Sequence, residues 1–300
     1  METKTEKISR NGGIWKGYIY LLPILIVLIM LDFYPIAYAV YISLTNFGLF
    51  HFFSFSYVGL ANYSLVFRTG LLTTLLIHTV IFSVGSILVM VPFGLGMSVI
   101  MNQRELRGKY IFRTMFLFPW AFPAFVTILI WKGMLDYNLG IINKILAYVS
   151  ISPVNWLGTG NLAMLSLILV NLWLSFPYYT FVYTSALQSV PQELYDAAEM
   201  DGYGALSRLT RIVFPLLRRQ IAFISIFGFI TAWNNFYLPY LLTYGGPGIS
   251  TQTLPIYTYI DAFANVQFAI GSALSIISIL ILAIAVIIIN HYSKMMTILY

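Results

Sequence analysis

Ile276-Ile277-Ser278-Ile279-Leu280-Ile281-Leu282-Ala283-Ile284-Ala285-Val286-Ile287-Ile288-Ile289 carries one hydroxyl and no charge in fourteen positions. A helix apolar on every face must bury every face, and a bilayer does that over about 20 residues. A transmembrane barrel would show segments of about 10 residues with alternating polarity, so this run reads as a helix in lipid. The rest of the chain agrees: its 300 residues are 60% hydrophobic and 9% charged, with mean hydropathy +0.85. Soluble domains hold about 45–50% apolar and about 25% charged residues, so too little charge remains here to cover a water-facing surface. Zero Cys excludes disulfide frameworks, thiolate metal sites, iron–sulfur ligation and Cys nucleophiles.

Six stretches are long and apolar enough to cross: roughly 18–42, 71–101, 112–135, 162–188, 220–243 and 268–292. Short-loop Lys and Arg set the orientation. With the N-terminus inside, the inner segments hold Lys4, Lys7, Arg10, Lys16, Arg104, Arg107, Lys109, Arg113, Arg208, Arg211, Arg218, Arg219 and Lys294, and only Arg68, Lys132 and Lys144 fall outside. The net charge of +6 is therefore a topology signal and not a nucleic-acid footprint. The expected fold is all-α, with six transmembrane helices and both termini cytoplasmic. An inner segment spans 1–17, a membrane domain 18–292 and an inner tail 293–300. The first apolar run is too long for a signal-peptide core and lacks an A-x-A site, so it reads as an uncleaved span.

One inner loop, 189–219, differs from the others. Ser189-Val190-Pro191-Gln192 has the form of a capping box with Pro in the first turn, so a short helix is expected to begin there. Val190, Leu194, Ala197 and Ala198 recur at helical spacing, and Gly202 can take the left-handed position that ends a helix. Glu193, Asp196, Glu199 and Asp201 make the first half acidic; Arg208, Arg211, Arg218 and Arg219 make the second half basic. Two readings stay open on pattern alone: a solvated connector, and a plug that docks in a groove of another protein.

The run Glu193-Leu194-Tyr195-Asp196-Ala197-Ala198-Glu199-Met200-Asp201-Gly202, then nine residues, then Ile212-Val213-Phe214-Pro215, resembles the EAA motif of ABC importer permease subunits. Asp196 stands where that motif has Glu, and Phe214 where it has Leu. Further stretches resemble the carbohydrate-uptake branch of the family: Val58-Gly59-Leu60-Ala61-Asn62-Tyr63, Phe118-Pro119-Trp120-Ala121-Phe122-Pro123, Asn171-Leu172-Trp173-Leu174-Ser175-Phe176-Pro177, and Leu241-Leu242-Thr243-Tyr244-Gly245-Gly246-Pro247.

The resemblance implies a transport subunit with no catalytic residues. It would work beside a second permease, two ATP-binding subunits that carry ATP and Mg, and an extracytoplasmic solute-binding protein that delivers a sugar. It makes the helix around Asp196, Ala197, Ala198 and Gly202 a coupling helix seated on the ATPase subunit, with Glu193, Ile212 and Pro215 in the same motif; Pro215 would restart the chain toward the fifth span. No G-x-x-x-x-G-K phosphate loop occurs in the chain itself.

Polar and aromatic groups inside apolar spans mark a candidate solute pathway: Asn171, Trp173, Ser175 and Tyr178 in the fourth span, Trp233, Asn234 and Asn235 in the fifth. By resemblance Asn171, Ser175 and Asn235 match sugar-binding positions; helix-packing glue is the other reading. Trp156 and the Gly-Gly-Pro turn lie in outer loops that either touch the binding protein or anchor the interface. His51, His78 and His291 lack metal-ligand spacing, so no metal is expected, and His78 reads as a packing residue. Asp32, the acid deepest in an apolar run, supports the alternative of an ion-coupled transporter. A polyol or glycerol-phosphate solute also stays open.

Overall fold

The computed structural model describes residues 10–103 and 108–298. Lys4, Lys7, Arg104 and Arg107, four of the residues that set the expected orientation, lie outside them. Among the described residues the fold is helical, as lipid requires of backbone that cannot be hydrated. Five helices are long and apolar enough to cross: span one Ile19–Ser43, span two Leu71–Met101, span four Gly160–Gln188, span five Thr210–Trp233 and span six Phe268–His291. The last helix runs on to Ile298, so the expected inner tail continues it.

Span three is not one helix. Lys109–Phe116, a 3-10 turn Phe118–Trp120 and Ala124–Met134 replace the expected 112–135 span, and the two arms meet at 88°. Pro123 disfavours helical backbone at Phe122 and is itself extended (φ −55°, ψ 136°), so the ladder cannot pass through.

Span five is displaced as well. It begins at Thr210 and ends at Trp233, where 220–243 was expected; Asn234-Asn235 interrupts it and Tyr237–Thr243 is a separate helix. Pro215 does not restart the chain. It lies two residues past a π-turn, Leu209–Val213, that joins Ala205–Arg208 to Phe214–Trp233. Pro35 stands in the same relation to the π-turn Ile29–Phe33 in span one. The widened turn makes room where a proline ring would meet the carbonyl four residues back.

Spans two and four form the most extensive helix pair, and span five packs on spans two and six. The closest approach is at Tyr179 of span four. A Cβ on Gly94 of span two would strike Tyr179 Cβ, and one on Gly228 of span five would strike Tyr179 Oη. Without a hydrophobic drive between helices in lipid, such small-residue contacts let dispersion hold the spans together. No residue in the most apolar window of span one is buried among the described residues; its later turns pack on span six.

Candidate functional site

The loop between spans four and five contains a helix, Gln192–Met200. Ser189 does not cap it: its hydroxyl donates to the Ala186 carbonyl (2.7 Å) and closes the end of span four instead. The stop is as expected. Gly202 has φ +74°, and Tyr203 N–H reaches back to the Ala198 carbonyl (2.9 Å), the six-to-one bond of a Schellman ending. Among the described residues, apart from its two chain neighbours, no atom lies within 4 Å of where a Gly202 Cβ would point, so backbone conformation is what favours glycine there.

The helix has two faces, and the expected single Val190–Leu194–Ala197–Ala198 face is divided between them. Ala198 is buried, and Val190 and Tyr195 pack on a cluster that includes Leu187, Val213 and Leu217. Burial also raises the Tyr195 pKa above its ordinary value. Glu193, Leu194, Asp196, Ala197 and Met200 face outward, Met200 being 90% exposed. Ile212 is half-buried and Pro215 exposed. Arg211 lies over the Tyr203 ring at 5.3 Å, tying the segment after Gly202 to the next span. The result is a helix clamped to its own bundle on one side, with acidic and apolar groups turned out on the other.

The second candidate site divides. Asn171, 5% exposed, donates to Ser86 Oγ of span two (3.0 Å). Asn235 donates to Asn171 Oδ1 (3.5 Å) and accepts the Leu238 N–H (3.2 Å), so one amide links span four to the span-five break and satisfies an open N–H of the next helix. Asn171, Ser175 and Tyr178 follow at helical spacing; Ser175 is half-buried, and the Tyr178 ring meets Phe227 at 5.6 Å. Asn234 is exposed and bonds back to Ile230. Trp233 does not belong with them: it is 1% exposed and donates to Ser278 Oγ of span six (3.0 Å). An indole N–H inside lipid needs an acceptor, and span six supplies it.

Trp173 faces another way, with Trp131 and Phe176, onto an aromatic cavity of about 450 Å³ under the span-three bend. Trp120 donates to the Leu174 carbonyl (3.0 Å). Trp156 packs inward, its indole bonded to Asn143 Oδ1 (3.0 Å), which makes it an anchor of its loop. Asp32 is exposed within its π-turn, and His78 Nδ1 is buried without a partner among the described residues. No group of three or more His, Asp or Glu that could hold a metal ion occurs among the described residues.

Sequence reasoning missed Ser86, since a serine in an apolar helix carries no signal of its partner. It also missed an aromatic group beside the break, where Phe236, Tyr240, Tyr244 and Tyr259 stack; the spacing of four between the first three was visible.

A family model described as "binding-protein-dependent transport system inner membrane component" matches residues 90–297. The chain is 34% identical over 287 residues to the galactooligosaccharides transport system permease protein of Bacillus subtilis (strain 168), covering 90% of this chain and 69% of that protein. It is 33% identical over 272 residues to the trehalose/maltose transport system permease protein of Thermococcus litoralis, covering 90% and 91%. Its fold is similar to a chain of a bacterial ABC transporter involved in the import of the acidic polysaccharide alginate (TM-score 0.81, 20% identity, 94% and 96% covered). It is equally similar to a chain of a bacterial alginate ABC transporter in complex with a pentasaccharide-bound periplasmic protein (TM-score 0.82, 19% identity, 97% and 99% covered).

Proposed function

This chain belongs to the family of binding-protein-dependent transport system inner membrane components, a multi-pass permease subunit and not an enzyme, and from that premise we propose that it forms half of a sugar pathway driven by ATP on other subunits. The relatives named for galactooligosaccharides and for trehalose and maltose support a carbohydrate solute. The proposed partners are a second permease, two ATP-binding subunits that hold ATP and Mg, and an extracytoplasmic solute-binding protein. In this reading 18–292 is the membrane domain, and both termini and the 189–219 loop lie on the cytoplasmic side.

The observation that carries the coupling role is the two-faced loop helix. Ala198 and Tyr195 fix it to the bundle, so a push on its outer face moves spans four and five instead of bending a loose connector. Glu193, Asp196, Ala197 and Leu194 make that outer face. A carboxylate there suits a charge-assisted pair with an Arg of the ATPase subunit, and Ala197 allows close approach. Asn171, Asn235 and Ser175 are the pathway residues of this reading, with Tyr178 and Asn234 beside them in sequence; Trp173 faces the aromatic cavity instead. Trp233 is set apart from them by its bond to Ser278 of span six.

The test is affinity purification of the tagged protein from its own membrane in mild detergent, followed by mass spectrometry, for wild type and Gly202→Asp. Wild type is expected to bring down a second permease and an ATP-binding subunit. Gly202→Asp, strained at φ +74°, is expected to remain inserted and lose the ATPase subunit. Recovery of wild type without any ATP-binding protein, or undiminished ATPase with the variant, would refute the coupling role.

A further inference from the structure

We propose that Phe236, Tyr240, Tyr244 and Tyr259 form a stacking subsite for one sugar ring of the transported solute, at the edge of the span-five break. The inference rests on the sugar-permease reading and adds to it a binding surface outside the Asn171–Asn235 cluster.

Phe236, Tyr240 and Tyr244 succeed one another at four-residue intervals, so their rings line one side of the helix Tyr237–Thr243. Phe236 and Tyr240 stack at 4.7 Å and 27°, and Tyr240 and Tyr244 meet at 4.9 Å. Tyr259, from the helix Leu254–Tyr259, closes on Phe236 at 4.7 Å and on Tyr240 at 5.4 Å. The platform is partly open: Tyr244 is 56% and Tyr259 38% exposed, and Phe236 and Tyr240 are half-buried. It begins at the residue after Asn235 and adjoins the exposed Asn234.

The backbone at Tyr244 is an independent observation. It has φ 55°, in the left-handed region that a bulky side chain rarely adopts, while its neighbour Gly245 is also left-handed at φ 83°. Glycine at 244 would be unstrained. Tyr244 ends the helix Tyr237–Thr243, its N–H bonding the Tyr240 carbonyl (3.0 Å); a tyrosine where that left-handed stop would take glycine without strain sets its ring against Tyr240.

The chemistry fits a pyranose. A sugar ring offers a face of C–H groups bounded by hydroxyls, so it takes an aromatic face together with hydrogen-bonding groups at the rim. The four rings supply the face, and the phenols with the exposed Asn234 supply the rim. Rings that serve only to anchor a helix at the membrane interface need lie at headgroup depth, not on one another.

The experiment replaces the chromosomal copy with variants in the source cell and measures whole-cell uptake of radiolabelled maltose, trehalose and galactobiose, with the copurifying ATPase as the measure of assembled complex. Tyr240→Leu and Tyr259→Leu, which keep apolar bulk without a ring, are expected to lower the uptake kcat/KM at least tenfold at an unchanged amount of complex. Tyr240→Phe and Tyr259→Phe should stay within about threefold of wild type, since stacking survives. Tyr244→Gly relieves the left-handed strain, so folding is not at issue, and uptake should still fall. Leucine variants that import like wild type would overturn the subsite alone and leave anchoring as the role. Loss of assembled complex in the leucine variants would overturn it in favour of packing. A wild type that imports none of the three sugars would overturn the proposal together with the reading beneath it.

Discussion

The loop helix and the Asn171 cluster are both polar interruptions of an apolar chain, yet they are built by different physics. The loop helix is local: every group that starts and stops it, from Pro191 to Gly202 and Tyr203, lies within about a dozen residues. The cluster is non-local: Ser86, Asn171 and Asn235 lie 85 and 64 positions apart and meet only because spans two, four and five pack together. A local site survives damage to the bundle, whereas a non-local one is only as good as the helix crossings beneath it.

The sharpest way to break that comparison is at Gly94, on the same span-two to span-four interface as Ser86 and Asn171. A Cβ there meets Tyr179 Cβ, and Tyr179 C at 3.2 Å, atoms that cannot swing away. Gly94→Ala is expected to cost about 1–3 kcal/mol by overpacking and to separate Ser86 from Asn171. In a detergent thermal-denaturation assay this should be the largest loss of stability, while a protease site placed beside Gly202 keeps its wild-type protection. Gly228→Ala should cost less, because the atoms it meets, Tyr179 Oη and Ile87 Cδ1, are side-chain ends.

Smaller effects are expected within the cluster itself. A double-mutant cycle of Ser86→Ala and Asn171→Ala should give a coupling of about 0.6 kcal/mol, the average for interhelical hydrogen bonds in lipid. Asn235→Ala should lower uptake with the ATPase subunit still copurifying; if assembly fails instead, the amide serves packing. Zero coupling between positions 86 and 171 would place their 3.0 Å contact outside the energetics of the bundle.

The smallest effect is expected at Asp261, between spans five and six. The residue is 4% exposed and its carboxyl accepts from Asn265 Nδ2 (3.1 Å); burial raises its pKa above the ordinary 3.8, and the amide only partly offsets this. A raised carboxyl pKa means that the fold prefers the protonated form. Stability is therefore lost as pH climbs from near 3.8 through the raised value. Asp261→Asn removes that loss, so it should melt higher than wild type at pH 8, with the gap closing near pH 4. An equal gap at both pH values would remove the protonation argument.

Legibility followed the same division. The loop helix was readable to its last residue, because a left-handed glycine and a charge pattern are local facts. What was not readable there was that Ser189 would bond back three residues to Ala186 and close span four, and that Ala198 would turn inward, which depends on where span five returns. Asn171 and Asn235 could be singled out as polar groups in lipid, but Ser86, the partner of Asn171, could not. Trp233 was grouped with its neighbours in sequence; it is the last residue of the span-five helix and Asn235 lies in the break after it, so the indole bonds to span six while Asn235 bonds to span four.

Residence in the membrane, helical spans, the loop helix with its stop, and the family resemblance were determined by the amino-acid sequence alone. Each rests on hydropathy, on backbone groups that must be satisfied within a segment, or on a short motif. Tertiary structure decided the early end of span five, the direction each indole faces and the stacking of Tyr259 on Phe236. Those outcomes depend on which helix lies alongside. Between apolar helices in lipid that choice is made by shape, small residues and single hydrogen bonds, which leave little trace in hydropathy.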